Sequence, residues 1–370
     1  MAQSTVFVGM DVHQDSVTVA VLPEGSKECE ESRQLPHDLA KIRRLFARLS
    51  KRGTVRACYE ASGCGYVLQR ALAKRGVACE VIAPSLIPVR SGDRRKTDKR
   101  DAAKLARLYR AGELTAIRIP DEAEEQVRSL VRCRETLTRE ILKSRHYVLK
   151  LLLSRGHVYR AGSNWTQAHW AWLRKLKLEG ADTITLQTYL ELLEYKLIQR
   201  DTLDRQIEQI AFSEAYREPV GRLRCLRGVD TLTAMTLVCE IGDVRRFASP
   251  RQLMGYLGLT VSEMSSGGVE RRGGITKAGN ARARRVLVEA AWHYRYPARR
   301  SRTLDKRQKD QPSAVVAHCW RAQKRLHRKF EALVYRMAPS KAVVAVAREL
   351  AGFVWALLRD DPEVLASRVR

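Results

Sequence analysis

Four carboxylates in the first third of the chain sit where the surrounding pattern would hold them in place. Asp11 closes the apolar run Val6-Phe7-Val8-Gly9-Met10, and after Val12-His13 a second run follows, Val17-Thr18-Val19-Ala20-Val21. Apolar, β-branched residues on both sides read as a buried hairpin with one acid where the strand emerges. Glu60 closes Thr54-Val55-Arg56-Ala57-Cys58-Tyr59 in the same way. Asp98 and Asp101 stand three residues apart at the start of a helical pattern, so they project from one helix face. Each acid also has an ordinary reading. Asp11 could cap its strand end or accept backbone amides, and the Asp98/Asp101 pair could be a solvated helix start beside Lys96, Lys99 and Arg100. Against this, an unpartnered carboxylate is costly to bury. Two like charges one turn apart repel unless water, a helix N-terminus or a bound cation offsets them.

The elements that would carry these acids alternate between strand and helix up to about residue 110. Leu39, Ile42, Leu45, Phe46 and Leu49 have helical spacing, 54–60 is a strand, and Ala61-Ser62-Gly63-Cys64-Gly65 is a turn. Tyr66 to Arg75 is a helix stopped by Gly76, and Val77 to Ala83 is a further strand. That order implies an α/β layer with a mixed sheet. Two long amphipathic helices follow, at about 122–153 and 185–212, joined by the aromatic segment Trp165 to Trp172. They read as an antiparallel coiled-coil arm, used either for dimerisation or for packing within one subunit.

The remainder reads as mainly helical. Cys225 to Ala234 resembles a helix-hairpin-helix, but Asp230 replaces the usual second glycine and would repel phosphate, which favours a structural role. Ser265-Ser266-Gly267-Gly268 is followed by Gly273, Gly274 and Gly279, and on its own it reads as an ordinary flexible loop. Ala342 to Leu358 is an apolar helix expected to close the core.

The chain has 370 residues, 45% of them hydrophobic and 29% charged, with a net charge of +27. Such an excess favours a polyanionic partner, and counterion release makes nucleic acid the default. The excess is concentrated between Arg271 and Lys329, where eighteen Lys or Arg face three acids and Trp292, His293, Tyr294, Tyr296 and Trp320 are interleaved. This is the composition of a phosphate-tracking surface with stacking groups, and Arg271, Arg272, Lys277, Arg282, Arg284 and Arg285 are its first candidate contacts. No apolar run approaches the ~20 residues of a spanning helix, and no signal-peptide pattern opens the chain, so a cytoplasmic protein is expected. The eight cysteines form no C-x-x-C pair, which argues against zinc and against a disulfide framework.

Strand-end Asp11, strand-end Glu60 and helical Asp98/Asp101 together fit the plan of a ribonuclease-H-like nuclease. In that plan hard oxygen ligands hold Mg²⁺ for phosphoryl transfer. At this point the chain resembles the transposases of insertion-sequence family 110 and the related Piv DNA invertases, which are described as bridge-RNA-guided recombinases. The resemblance covers almost the whole chain. It is carried by Gly9-Met10-Asp11, Tyr59-Glu60-Ala61-Ser62-Gly63, Lys96-Thr97-Asp98-Lys99-Arg100-Asp101-Ala102, and Gly258-Leu259-Thr260 followed by Ser265-Ser266-Gly267, in that order.

That resemblance implies a RuvC-like DEDD domain over 1–118, a coiled-coil arm over 119–215 and a mainly α C-terminal transposase domain over 216–370. Asp11, Glu60, Asp98 and Asp101 would hold Mg²⁺, or Mn²⁺ in its place. Ser266 matches the family's catalytic serine by its place before Gly267, with Ser265 adjacent. The implied partners are double-stranded donor and target DNA and a non-coding bridge RNA. The implied assembly is a homodimer or homotetramer, nucleoid-associated when bound to DNA. The competing reading is a RuvC-like hydrolytic nuclease of the junction-resolvase type, in which water attacks and the serine is idle. Val261, Ser262 and Met264 depart from the family, whose members often carry Pro and basic residues there.

Overall fold

The strand that carries Asp11 near its end, β1 (Thr5–Val12), runs through the centre of a five-stranded sheet. In the computed structural model, residues 4–88, 97–264 and 270–366 are described. They form two compact units that divide between Pro120 and Asp121. In the first unit β1 pairs antiparallel with β2 (Ser16–Pro23), which pairs antiparallel with β3 (Glu31–Pro36). On its other side β1 pairs in parallel with β4 (Thr54–Glu60), and β4 with β5 (Ala78–Ile82). The order β3-β2-β1-β4-β5 is the mixed sheet expected of a ribonuclease-H-like domain.

Alternation along β1 sends Val6, Val8, Met10 and Val12 into one core, with Ile42, Leu45, Phe46 and Leu49 of α1 (Leu39–Ser50) and Leu68 and Leu72 of α2 (Val67–Ala73). The four α1 residues recur at i, i+3, i+4 and i+7, and Asp38 starts the helix by accepting from the Ala40 N–H at 2.7 Å. The opposite sheet face packs Phe7, Leu22, Cys58 and Ile82 against Leu105, Ala106 and Tyr109 of α3 (Asp98–Arg110). Gly9 lies on this face, where a Cβ would come within 2.1 Å of the Ala102 carbonyl oxygen and 2.4 Å of the Ala106 nitrogen. Only a glycine there, with alanines opposite, lets α3 lie directly on the strand.

The second unit begins with α4 (Glu122–Ser154), started by a reciprocal capping box between Asp121 and Glu124. A short α5 (Gln167–Lys175) turns the chain into α6 (Ala181–Ala211). Arg134 pairs with Asp204, Ser144 with Lys196 and Arg155 with Asp182, so α4 and α6 run antiparallel as the arm pattern predicts. Val148, Leu152, Leu173 and Leu186 close its far end among Trp165, Trp170 and Trp172.

Behind the arm lie α7 (Arg217–Arg224), α8 (Thr231–Ile241), α9 (Pro250–Tyr256), the hairpin β6 (Val261–Glu263) and β7 (Arg272–Ile275), and α10 (Ala281–Ala291). The chain ends with α11 (Arg302–Gln308), α12 (Ser313–Val334), α13 (Pro339–Arg359) and α14 (Pro362–Ala366). The apolar helix expected at 342–358 is α13, buried along most of its length against α7, α9, α10 and α12. Among the described residues no helix is long and apolar enough to cross a membrane.

Candidate active site

The register of β1 on β4 pairs Met10 with Tyr59, which leaves Asp11 and Glu60 side by side at the same end of two parallel strands. Strand alternation puts Asp11 on the face of Phe7 and Gly9, and Glu60 on the face of Cys58, whose thiol points to the Leu105 carbonyl of α3. Both acids therefore belong to the face that α3 covers. The first turn of α3 carries Asp98 and Asp101, and Thr97 caps it by accepting from the Arg100 N–H.

One oxygen of Asp11, one of Asp98 and a ring nitrogen of His13 lie within 4.8 Å of one another. His13 Nε2 is 3.3 Å from Asp11 Oδ2 and 4.0 Å from Asp98 Oδ1. Asp101 and Glu60 lie outside that group of atoms, although the charge of Asp101 still acts on Asp11. Glu60 is exposed at its strand end. Burial raises the Asp11 pKa; His13 opposes the rise, and the charges of Asp98 and Asp101 add to it. Two converging aspartates, with Asp11 half-desolvated and its ionisation made costlier by the charge of Asp98, form a donor set that a divalent cation satisfies. An imidazole beside carboxylates also suits Mn²⁺. Under α3, Thr18 is paired with Asp11 across β1 and β2, is fully buried, and has a hydroxyl with no hydrogen-bond partner among the described residues.

His13 is the member of this cluster that sequence reasoning passed over. Its signal was its spacing: two residues after Asp11 along an extended chain is the same side of the strand.

Ser265 and Ser266 lie outside the described residues, but the hairpin that leads to them is described up to Met264 and again from 270. The Met264 N–H donates to the Arg271 carbonyl at 2.9 Å. At the hairpin's root, Thr276 donates to Thr260 at 2.8 Å, Lys277 to Gly258 at 3.1 Å and Asn280 to Tyr256 at 3.0 Å. Gly258 (φ +61°) and Gly279 (φ +63°) make the close approach possible, since a Cβ on Gly279 would lie 1.9 Å from the Tyr256 carbonyl oxygen. Below the root, Glu240 of α8 is buried and accepts two bonds of 2.7 Å from Arg132 of α4 and one of 2.7 Å from Asn280 Nδ2. Burial alone would raise its pKa. The Arg132 and Asn280 bonds and the positive charges of Arg132 and Arg128 outweigh that and hold it below the usual value.

Two family profiles match the chain. A DEDD transposase profile of the IS110 type covers residues 8–155, and the profile of the Transposase IS116/IS110/IS902 family covers residues 220–305. The chain is 41% identical over 358 residues to the putative transposase y4qE of Sinorhizobium fredii, an alignment covering 96% of this chain and 88% of that protein. It is 36% identical over 336 residues to the transposase for insertion sequence element IS1533 of Leptospira borgpetersenii, covering 89% of this chain and 96% of the relative. The chain belongs to the IS110 family of transposases. It is a DNA transposase, an enzyme that cleaves and joins DNA strands, and the DEDD profile covers most of its first unit and continues through α4.

The six basic residues singled out in the transposase sequence divide into two groups. Arg271, Arg272 and Lys277 are exposed on the hairpin and its root, with Arg272 3.0 Å from Glu270. The other three hold structure. Arg282 and Arg285 pair with Glu135 of α4 at 2.7 and 3.5 Å. Arg284 donates to the carbonyls of Leu257 and Ala278 at 2.7 and 2.8 Å, which fixes the hairpin root. Asp230 of the transposase caps α8 by accepting from the Thr233 N–H at 2.7 Å, so the carboxylate itself occupies the helix start where a helix-hairpin-helix would receive phosphate.

Proposed function

We propose that this transposase cleaves DNA by attack of Ser266 on a phosphodiester. The Ser266 Oγ–P bond forms, one P–O bond to the strand breaks, and the proton lost by the serine is balanced by the one gained at the released hydroxyl. The resulting phosphoserine ester keeps the bond energy, so rejoining to another strand needs no external energy source. A serine hydroxyl is a weak nucleophile at neutral pH and needs a base or metal beside it. Asp11 and Asp98 would hold a divalent ion, Mg²⁺ or Mn²⁺, with Glu60 and Asp101 completing the set and His13 orienting the Asp11 carboxylate. When bound, such an ion neutralises charge developing on the phosphate oxygens.

The observation that carries the metal part is the convergence of Asp11, His13 and Asp98 within 4.8 Å on the face where Glu60 ends its strand. The matching order of Gly258-Leu259-Thr260 and Ser265-Ser266-Gly267 supports the serine. We further read the donor and target sequences as chosen by a non-coding bridge RNA, so that the protein contributes shape and backbone contacts. The net charge of +27 supports that reading. A homodimer or homotetramer fits the arm, where Leu142, Leu153, Ile184, Tyr195 and Ile198 are exposed.

The test is to incubate the protein with Mg²⁺, its RNA and end-labelled donor DNA, then denature. A covalent protein–DNA adduct that disappears in Ser266→Ala is expected. Cleavage that persists in Ser266→Ala without an adduct would overturn the serine mechanism in favour of hydrolysis.

A further inference from the structure

The C-terminal helices hold a half-buried cation near the carboxylates of Glu208 and Asp230. Arg224, the last residue of α7, places its guanidinium 5.1 Å over the ring of Phe212, and its Nε is closed off from solvent with no hydrogen-bond partner among the described residues. Burial, and next the positive charge of Arg307, lower its pKa. Arg307 is itself held in place by donating to the Val229 carbonyl at 3.0 Å. Both arginines line a cavity of about 1080 Å³ bounded by the end of α6, by α7, by the start of α8 and by α11.

Around this cavity Glu208, Glu218, Asp230, Asp310 and Asp360 balance Arg217, Arg222, Arg224, Lys306 and Arg307 in number, but they are not evenly paired. Glu218 pairs with Arg222, which also pairs with Asp360 at 2.7 Å, and Asp230 is committed to its cap. Glu208 and Asp230 still act on Arg224, but its Nε has no hydrogen-bond partner among the described residues. Two neighbouring guanidiniums, one desolvated at Nε, repel each other at a cost that an anion between them removes. Their planar forks match phosphate oxygens. Beside them Phe212 is 55% exposed, an apolar ring with a cation on one face and room for a base to stack.

We propose that this cleft binds a nucleic-acid strand by one phosphate bridging Arg224 and Arg307, with an adjacent unpaired base stacked on Phe212. None of its residues belongs to the acid cluster or the serine hairpin, so the site is additional to the one where strands are cut. Duplex bases have both faces covered, so the ligand is single-stranded or looped. DNA and RNA offer the same phosphate and base chemistry, and the experiment separates them.

The full-length protein would be titrated, by fluorescence anisotropy at several salt concentrations, into a labelled single-stranded DNA, an RNA of the same sequence and the corresponding duplex DNA. Arg224→Gln should weaken single-strand binding about five- to tenfold and reduce the salt slope by about one phosphate contact. Phe212→Ala should weaken it about tenfold with the slope unchanged and duplex binding retained. Arg224→Lys, which keeps the charge but loses the planar stack, should keep the slope and lose affinity. Lys341→Gln, a matched charge loss outside the cleft, should not alter the preference for single strands. A larger loss with RNA than with DNA assigns the strand as RNA, and the reverse assigns it as DNA. Unchanged affinity and slope in Arg224→Lys and Phe212→Ala variants that unfold at the wild-type temperature would overturn the proposal. An equal loss on single strands and duplex in Phe212→Ala would overturn it too. Mg²⁺-dependent cleavage measured alongside reports on the acid site, so failure there is distinct from failure here.

Discussion

Gly9 of β1 and Ala102 of α3 touch backbone to backbone: a single added methyl on Gly9 would sit 2.1 Å from the Ala102 carbonyl oxygen. Ala102 is one residue past Asp101, and Asp11 is two residues past Gly9, so this contact sets how closely the two acid-bearing segments approach. Gly9→Ala should cost about 1–3 kcal/mol of stability through overpacking. It should also push the first turn of α3 away from β1 and lower strand cleavage. Thermal unfolding with a cleavage assay checks both, and an unchanged melting temperature would show that the helix is free to move.

Asp11→Asn and Asp98→Asn separate chemistry from folding. Each removes one of two repelling charges, so the melting temperature should hold or rise while cleavage falls on the order of a hundredfold or more, as loss of a ligand exceeds the effect of losing its support. A loss of activity that followed a loss of folded protein would remove these residues from the chemistry.

His13→Gln should be milder. The amide can still donate to Asp11, so cleavage should fall about tenfold, with a shift toward higher metal concentration for half-maximal activity. Cleavage that is indifferent to this change at every metal concentration would make His13 a bystander.

Thr18→Val replaces a fully buried hydroxyl that has no partner among the described residues by a methyl of the same shape. Removing such a group should stabilise the fold by about 1 kcal/mol. A decrease in chemical-denaturation midpoint would mean that the hydroxyl is bonded in solution, with Asp11, its neighbour across β1 and β2, the first candidate.

Glu240 should make stability depend on acid. Its pKa in the folded chain lies below the ordinary glutamate value, so its contribution is complete above that ordinary value and is lost as pH falls through the lower, folded one. Unfolding curves taken across the acid range should therefore show a steeper decline for the wild type than for Glu240→Gln. At neutral pH that variant should be less stable by about 1–3 kcal/mol, since Arg132 loses its charged partner but remains partly solvated.

Much of this arrangement is legible in the residues themselves. Asp11 and Glu60 can be read because each ends a run of β-branched or apolar residues, and Asp98 and Asp101 because three residues is nearly one helical turn. The arm was readable for the same reason, with its stripe sustained from Val131 to Leu152, about six turns of α4. β3 was not readable: Glu31-Ser32-Arg33-Gln34-Leu35-Pro36 has no alternation to show, because an edge strand is held by its backbone pairing with β2 and leaves most of its side chains in water. His13 was passed over because its partner Asp98 is 85 residues away and only the fold brings it near. Glu240 carries no signal of its own in the sequence, since its burial depends on Arg132 and Asn280, neither of which is near it in sequence.

That same carboxylate bears on how the chain can be divided. The two family profiles end at 155 and begin again at 220, which suggests a protein separable between them. Yet α4 falls under the first profile while Arg132 and Glu135, both on it, bond to Glu240 and Arg282 under the second. A fragment starting at residue 220 would expose Glu240 without its guanidinium and Val131's neighbours without their cover. One starting at residue 121 would keep both. The place to cut this protein is therefore ahead of its long helix, and expressed pieces that respect the profile boundaries should aggregate where pieces that respect the ion pair should fold.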